Sequence, residues 1–353
     1  MSRPPEAPLT SVSAIARPSE RRARPRSRPA AALLCALLLL VAVVLSLAVG
    51  GRVTSVGELL GALFAPTGTD ADVTILGLRL PRTVLGLVVG ACLGIAGTLT
   101  QGHTRNPVAD PGLLGIYQGA ALAIVVVTAS GANPPALALA LCAFAGALTV
   151  AVLVFAIARV APGREGTLSF VLAGVAISAL ASSLVTAISL LDLQALDQLR
   201  FWQVGSLASR SGAIGAVWPL IVIGLVLAIA NTRALNVLAL GDDAASALGQ
   251  APWRARAVGI AAIALLGASA VTLAGPIAFA GLIVPHLARS LVGPDYRWQL
   301  TVSALLGPAI VLIADTVGRV VARPGEISVT VVLAVVGAPL FVAIARSRRK
   351  IAL

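Results

Sequence analysis

Residues 257–288 read AVGIAAIALLGASAVTLAGPIAFAGLIVPHLA, a run of 32 residues without a charged side chain. An α-helix needs about 20 apolar residues to cross a bilayer, whereas a barrel strand needs about 10 residues of alternating polarity. The run is continuous and long, so it predicts membrane helices and not a barrel. Gly275-Pro276 interrupts it, so the run fits either one long kinked helix or two successive helices.

The composition of the whole chain agrees with this prediction. Of its 353 residues, 58% are hydrophobic and 11% are charged, whereas about a quarter of a soluble domain is charged. A soluble fold of this length could not hide so much apolar surface. Within lipid, backbone polar groups must be satisfied inside the protein, which favours helices here. The sequence therefore predicts an all-α polytopic membrane protein.

Other long charge-free windows predict the remaining membrane spans. Pro134 and Pro135 divide one window that is too long for a single crossing, because tandem prolines break a helix. The predicted transmembrane domain covers residues 30–346. Its spans lie at about residues 30–51, 80–104, 111–132, 135–158, 166–191, 211–232, 257–275, 277–291, 298–318 and 327–345.

The two ends of the chain are basic, and this fixes the predicted number of spans. Residues 1–29 are rich in Arg, Pro and Ser and predict a disordered cytoplasmic tail. Residues 347–353 form a second basic tail. Basic segments concentrate on the cytoplasmic side, so both ends are predicted to lie inside and the number of spans is even. Two helices within residues 257–288 then give ten spans in total.

Several kinds of chemistry are absent from the sequence. A P-loop needs a lysine followed by Ser or Thr, and the only lysine, Lys350, precedes Ile351. If ATP drives this protein, another polypeptide must bind the ATP. Aromatic residues make up 4% of the chain, which argues against stacking on nucleic acid. No catalytic residue and no metal site is predicted, because the candidate ligands are scattered: His103, His286, Cys35, Cys92 and Cys142.

Charged residues at the predicted outer ends of two spans form the first candidate site. Arg79-Leu80-Pro81-Arg82 opens the second span. Its arginines fit either interfacial side chains that reach the lipid headgroups or a cationic patch for an acidic external partner. Asp315 and Arg319 are four residues apart in the ninth span, so they can pair on one helix face. That pair fits a functional ionisable site and a structural ion pair equally well.

Two inner connections form the second candidate site. Residues 101–112 contain Asn106-Pro107 and Asp110-Pro111-Gly112, which are strong turn signals. Residues 233–256 are the longest inner loop and contain Leu240-Gly241-Asp242-Asp243-Ala244-Ala245-Ser246-Ala247-Leu248-Gly249. The two aspartates suit the first turn of a short helix and Gly249 suits its end. This segment fits either a connector on the membrane surface or a protruding helix that docks into a partner's groove.

Glycines recur at helical spacing in the second predicted span. Gly86, Gly90 and Gly94 form two overlapping G-x-x-x-G patterns, and Gly97 extends the series. Small residues at this spacing let two membrane helices approach closely. The pattern therefore predicts tight helix contacts and does not indicate a substrate.

Taken together, these segments resemble the permease subunit of the iron-siderophore and vitamin B12 (FecCD-type) class of ABC importers. The resemblance runs from about residue 78 to residue 345, and its motifs occur in the family's order. They are Arg79-Leu80-Pro81-Arg82, the turn from Arg105-Asn106-Pro107 to Pro111-Gly112, Phe201-Trp202 with Gly205-Ser206, Leu240-Gly241-Asp242, Gly275-Pro276-Ile277, Gly281-Leu282-Ile283-Val284-Pro285-His286 and Gly337-Ala338-Pro339.

This resemblance implies the type II ABC importer permease architecture, with ten transmembrane helices per subunit in a bacterial cytoplasmic (inner) membrane. It implies a second permease subunit, identical or sister, and two separate ATPase subunits that hold ATP and Mg. It also implies an extracytoplasmic binding protein that delivers the substrate. The chain itself would be a transport subunit in membrane lipid, without cofactor and not an enzyme. The implied function is import of an iron chelate, a ferric siderophore, by alternating access.

The resemblance also implies roles for individual residues. Arg79, Arg82 and Arg319 resemble outer arginines that pair with glutamates of the binding protein. Residues of the inner loop resemble the coupling helix that docks on the ATPase: Leu240, Gly241, Asp242, Asp243, Ala244, Ala245, Leu248 and Gly249. A third set corresponds to structural and gating turns: Asn106, Pro107, Pro111, Gly112, Gly275, Pro276, Pro285 and His286.

The chain departs from the family pattern in places. Tyr117-Gln118-Gly119 replaces a small residue and a Ser or Asn, near the predicted pathway, and Ser328 stands where proline is common. Haem and cobalamin remain alternative cargoes. An ion-coupled secondary transporter is a rival class, although only Asp315 could serve as its membrane-embedded acidic group. A receptor or scaffold without transport is a second rival.

Overall fold

The computed structural model describes residues 27–50, 54–132, 134–160, 166–208, 213–323 and 325–349, and these residues form helices without any β-strand. The predicted tail before residue 27 lies outside the described residues. The α-helices are α1 (Arg28–Ala48), α2 (Val56–Phe64), α3 (Asp70–Asp72), α4 (Leu80–Thr104), α5 (Ile116–Ala129), α6 (Ala136–Val160), α7 (Gly166–Leu191), α8 (Leu193–Gln203), α9 (Ile214–Leu238), α10 (Asp242–Ala247), α11 (Pro252–Ala274), α12 (Ala280–Val292), α13 (Tyr296–Val321) and α14 (Val329–Arg349). A π-helix, Val73–Arg79, leads into α4, and a 3-10 helix, Pro111–Leu114, precedes α5.

The all-α membrane architecture predicted from the sequence is confirmed. Within the described residues, seven helical segments are long and apolar enough to cross a membrane, namely α1, the continuous segment Asp70–Thr104, α6, most of α7, α9, α11 and α13. Three shorter apolar helices are α5, α12 and the first half of α14. Each of the ten predicted spans overlaps one of these ten segments.

The helices form a buried centre and a lipid-facing periphery. In α4 and α11, 78% of the most apolar window is buried, against 28% in α1 and 22% in α7. On α1, Leu33 is 63% exposed and Leu40 is 59% exposed, which fits a helix whose outer face contacts lipid. The exposed apolar side chains therefore mark the membrane surface of the bundle.

The glycine series of α4 lets two neighbouring helices approach it closely. A Cβ added at Gly90 would lie 2.5 Å from the Pro308 Cα of α13, and one at Gly97 would meet the backbone of Gly281 in α12. Only glycine fits at such contacts, which agrees with the close packing that the G-x-x-x-G spacing predicts.

The long run at residues 257–288 is two helices, as the charge distribution predicts. α11 ends at Ala274, and Gly275 adopts a φ of 75° that few L residues tolerate. The chain stays irregular until Phe279, which has a φ of 66° and precedes α12. Irregular backbone at membrane depth persists only where the protein satisfies it. Accordingly, the Ala274 carbonyl accepts from the Ser206 amide at 2.8 Å.

Candidate functional site

Two of the three predicted docking arginines cap the end of α1. Arg79 Nη1 donates to the carbonyls of Leu47 and Ala48, at 2.8 Å each. Arg319 Nη1 donates to the carbonyl of Val49 at 2.9 Å. The last carbonyls of a helix have no partner within the helix and carry its negative end, so cations stabilise them. Both arginine residues are nearly buried, at 6% and 4% exposure.

The third predicted docking arginine joins two carboxylates at the same end of the bundle. Arg82 Nη2 and Nε reach Asp315 at 2.8 and 3.0 Å, and Arg82 Nη1 reaches Glu326 at 2.8 Å. Asp315 also faces Arg319 Nε at 3.1 Å, although this contact lacks hydrogen-bond geometry. The i, i+4 contact expected from the sequence is therefore present. Its carboxylate balances the buried Arg319 and the partly buried Arg82.

The sequence did not single out two further charged residues of this cluster. Arg323 is exposed and donates from Nη2 to the Gly50 carbonyl at 2.7 Å. Glu326 is 49% exposed at its side chain. The spacing of Arg323 four residues after Arg319 was a usable signal, because i, i+4 residues share a face where a helix continues, although α13 ends at Val321 just before Arg323. We call the four arginines and two carboxylates at positions 79, 82, 315, 319, 323 and 326 the arginine cluster; it carries two positive charges in excess.

The predicted coupling segment lies at the opposite end of the bundle. α9 continues to Leu238 and α11 begins at Pro252, so the connection is shorter than residues 233–256. The predicted span ended at residue 232 because Arg233 is charged, but α9 continues through Arg233 to Leu238. α10 follows Gly241, whose φ is 115°, and Gly249 comes two residues after α10 with a φ of 78°. These glycines permit the two sharp turns that set α10 apart.

Asp242 fixes α10 to the helices around it. Its carboxylate lies 2.6 Å from Arg105 Nη2 at the end of α4 and 2.8 Å from Arg256 Nη2 near the start of α11. Arg105 also donates to the Leu238 carbonyl at 2.7 Å. Ala245 is fully buried on the inner face of α10. The contacts of Asp242 thus connect α10 to α4 and α11, and Arg105 connects this site to the end of α9.

The outer face of the same segment exposes apolar side chains. Leu240 is 68% exposed and Leu248 is 62% exposed, one on each side of α10. Trp253 is 57% exposed, and the guanidinium carbons of Arg159 and Arg254 lie 5.6 and 5.3 Å from its ring centroid. Exposed apolar residues ringed by charge are typical of protein interfaces. Trp253 was not predicted as a site residue.

The connection between α4 and α5 is a compact turn with a buried carboxyl group. The Asn106 side chain accepts from the Val108 amide at 3.1 Å, and Asp110 Oδ1 accepts from the Gly112 amide at 2.8 Å. Asp110 Oδ2 is buried without a hydrogen bond, and burial raises the pKa of Asp110 to about 6. Four of the eight predicted turn residues lie in this connection: Asn106, Pro107, Pro111 and Gly112.

The break between α11 and α12 is hydrogen-bonded to two other helices. The Ile277 carbonyl accepts from the Tyr117 hydroxyl of α5 at 3.1 Å, and the Pro276 carbonyl accepts from Thr330 Oγ1 of α14 at 3.0 Å. These bonds link the predicted turn at Gly275 and Pro276 to helices that flank it. The other two predicted turn residues, Pro285 and His286, lie inside α12.

Two cavities lie on this side of the bundle, of which the first borders the break, and one residue lines both. The first, of about 290 Å³, is lined by the break, α5, α7 and α8. The second, of about 260 Å³, is lined by α5, α6, α8 and α11. Trp202 lines both cavities, and no charged residue appears among their described linings. Their polar side chains are Tyr117, Gln118, Ser182 and Gln203 in the first and Thr128, Gln194, Gln198 and Thr272 in the second.

Comparisons with known proteins agree with this arrangement. Residues 38–347 match the FecCD transport family. The chain is 44% identical over 316 residues to the ferric enterobactin transport system permease protein of Escherichia coli (strain K12), covering 89% of this chain and 94% of the relative. It is 39% identical over 272 residues to the hemin transport system permease protein of Yersinia pestis, covering 75% of this chain and 81% of the relative.

A solved structure is also similar. It is an inward-facing conformation of a metal-chelate type ABC transporter, with a TM-score of 0.78 and 28% identity, covering 91% of this chain and 99% of that one. The structural match and the sequence matches therefore indicate the same class of transporter over most of the chain. This protein belongs to the FecCD transport family of ABC-transporter permease subunits, which are not enzymes and which work with a separate ATPase subunit.

Proposed function

We propose that this chain is the permease subunit that carries a ferric siderophore across the bacterial inner membrane in an ATP-driven importer. The observation that carries this proposal is the similarity, over most of both chains, to a permease for ferric enterobactin. A second relative, from Bacillus subtilis (strain 168), has a name that also refers to siderophore transport. Haem and cobalamin are the alternative cargoes, because permeases named for them are similar as well.

The arginine cluster is the proposed dock for an extracytoplasmic binding protein. Its excess of positive charge favours an acidic partner. Arg82 and Arg323 make the first contact, because Arg82 already holds the half-exposed Glu326 and Arg323 is exposed. A glutamate of the binding protein can replace Glu326 on Arg82. Arg79 and Arg319 pair with the partner only if they leave the end of α1.

The segment from Leu240 to Gly249 is the proposed coupling site for one of two ATPase subunits, which hold ATP and Mg. The exposed side chains of Leu240 and Leu248 fit an apolar groove on such a partner. Asp242 supports this role because it links α10 to Arg105 and Arg256. Motion imposed on α10 by the ATPase thereby reaches the central helices.

The pathway for the chelate is proposed to pass the break at Gly275 and Pro276. Breaks of this kind occur at membrane depth where they line a cavity or lie within protein. The cavity walls offer amides, hydroxyl groups and the Trp202 indole, which hydrogen-bond weakly to many ligands. A second permease subunit, identical or sister, completes the pathway. Both termini are proposed to be cytoplasmic, which puts the arginine cluster outside and α10 inside.

Uptake measurements with a panel of labelled cargoes test the choice of substrate. Cells without the gene and cells carrying it are compared for a ferric catecholate, a ferric hydroxamate, ferric citrate, haem and cobalamin. The proposal expects gene-dependent uptake of at least one ferric siderophore that depends on cellular ATP. Gene-dependent uptake of haem or cobalamin alone would replace the proposed cargo and leave the importer class intact.

A further inference from the structure

An apolar groove of about 700 Å³ runs along the surface of the bundle between α9 and α13. Its walls are apolar side chains of these two helices, and Ile95 of the central helix α4 forms its floor. Ile229 on the α9 wall is 67% exposed. The groove is wide enough for a hydrocarbon chain. Its apolar lining also includes Leu225, Ala228, Ala230, Leu300 and Ala304.

The groove exists because its two walls pack mainly on other helices. α9 packs chiefly against α11, where Gly224 leaves room for the Leu266 side chain. α13 packs chiefly against α4 and α1, and Gly90 of α4 allows that close approach. The two walls therefore diverge towards their main partners, which leaves the crevice between them.

Two arginines lie at the end of the groove nearest α10. Arg233 of α9 and Arg297 of α13 both line it, and both are exposed. Among the described residues, neither guanidinium has a carboxylate partner within ion-pair distance. The nearby Asp295 accepts from Asn236 Nδ2 at 3.0 Å and from Arg28 Nη1 at 3.2 Å, and its charge also attracts Arg297. This end of the groove thus holds two exposed arginines beside a single carboxylate that Arg28 already pairs with.

The dimensions of the groove match one leaflet of a bilayer. Arg233 and Leu225 are eight residues apart on α9, which is about 12 Å along a helix. Half of the hydrocarbon core of a bilayer is about 15 Å thick. An occupant that follows the groove therefore has an anionic head at the membrane surface and an apolar body that reaches towards the midplane. A soluble anion would use the arginines but not the apolar walls.

We propose that this groove binds one anionic phospholipid, with its phosphate on Arg233 and Arg297 and one acyl chain between α9 and α13. Basic pockets between membrane helices are known to hold anionic head groups. The assignment to the inner leaflet rests on the proposed orientation of the chain. The bound lipid fills the space beside α9, whose last turn leads into α10, so it supports the coupling end of the bundle.

Native mass spectrometry of the purified full-length chain tests this proposal without requiring transport. The protein is offered phosphatidylglycerol or phosphatidylcholine with identical oleoyl chains. We expect one tightly retained phosphatidylglycerol and weaker retention of phosphatidylcholine. The double variant R233Q/R297Q should bind phosphatidylglycerol about twenty-five-fold more weakly, since each surface arginine contributes about fivefold. The matched control R159Q/R254Q removes two arginines around Trp253 at the same end of the bundle and should retain the lipid.

Two further measurements separate a lipid from other occupants. Ala304→Phe fills the groove and keeps both arginines, so it should also lose the retained lipid. A photo-crosslinking residue at position 229, in the assembled transporter in native membranes, should form adducts with phospholipid. Equal retention of the two lipids, an unchanged double variant, displacement by inorganic phosphate, or adducts with a second copy of the chain would each overturn the proposal.

Discussion

Replacing Asp315 with asparagine removes the charge that balances the buried Arg319 and the partly buried Arg82. The wild-type carboxylate accepts two hydrogen bonds from Arg82 and lies 3.1 Å from Arg319 Nε. The side chain of Asp315 is 2% exposed and that of Arg319 is 4% exposed. Asparagine keeps the size of the side chain, so the substitution chiefly removes charge. Arg319 then remains buried without a counter-charge.

The size of the effect follows from these contacts. Removing one partner of a buried ion pair costs about 3–5 kcal/mol, because it leaves the other charge uncompensated. Arg82 keeps Glu326, and Arg319 keeps its bonds to the end of α1. The lower end of the range therefore applies, and we expect a loss of about 3 kcal/mol.

The unfolding of the purified chain by sodium dodecyl sulfate measures this loss, with Asp197→Asn as the matched control. Asp197 pairs with Arg200 at 3.4 Å, but both side chains are about two-thirds exposed. An exposed pair contributes less than about 1 kcal/mol, so the control should unfold almost like the wild type. If Asp315→Asn also lost less than about 1 kcal/mol, the idea that Asp315 balances buried charge would be wrong.

Three further predictions concern other parts of the molecule. Burial raises the pKa of Asp110 from 3.8 to about 6, so the wild-type protein loses stability as pH rises from about 4 to about 6. In unfolding measurements, the free energy of unfolding of Asp110→Asn should equal that of the wild type near pH 4 and exceed it by up to about 3 kcal/mol above pH 6. An equal gain in stability at both pH values would contradict this prediction. Leu248→Asp should lower ATP-dependent uptake by about tenfold, because it removes an apolar docking contact. Val160 is an exposed residue at the same end of the bundle, and Val160→Asp should leave uptake unchanged. Equal uptake by the two variants would contradict the assignment of the coupling site. Gly90→Ala should destabilise the folded protein by about 1–3 kcal/mol and lower its yield, because the new Cβ would lie 2.5 Å from the α13 backbone. Size-exclusion chromatography measures the yield of folded protein. Gly77→Ala is the control, because a Cβ at Gly77 meets nothing within 4 Å.

The sequence alone predicted the features that depend on neighbouring residues. Charge-free windows located the membrane helices, because hydropathy is a local property. Gly275-Pro276 predicted the break between α11 and α12, since proline cannot continue a helix and glycine accepts a positive φ. The i, i+4 spacing of Asp315 and Arg319 predicted their contact. The family resemblance supplied the order of the motifs and the candidate sites.

The features that the sequence did not predict depend on residues far apart in the chain. Arg79 bonds to a carbonyl 32 residues away and Arg319 to one 270 residues away. Nothing in the local spacing of either arginine indicates that it caps α1. The same holds for Trp253, whose arginine neighbour Arg159 belongs to another helix. The predicted roles of these arginines in docking therefore stay predictions, to be decided by experiments with the binding protein.

The measurement that tests the central claim most directly is uptake of an iron-labelled ferric siderophore by cells with and without this gene, before and after ATP depletion. The account predicts uptake that requires both the gene and ATP. Leu248→Asp should take up about tenfold less in the same cells although it is present in the membrane. Gene-dependent uptake that survives ATP depletion would contradict an ABC importer and favour an ion-coupled transporter. Equal uptake in both strains, for siderophores and for the alternative cargoes, would contradict the transport function itself.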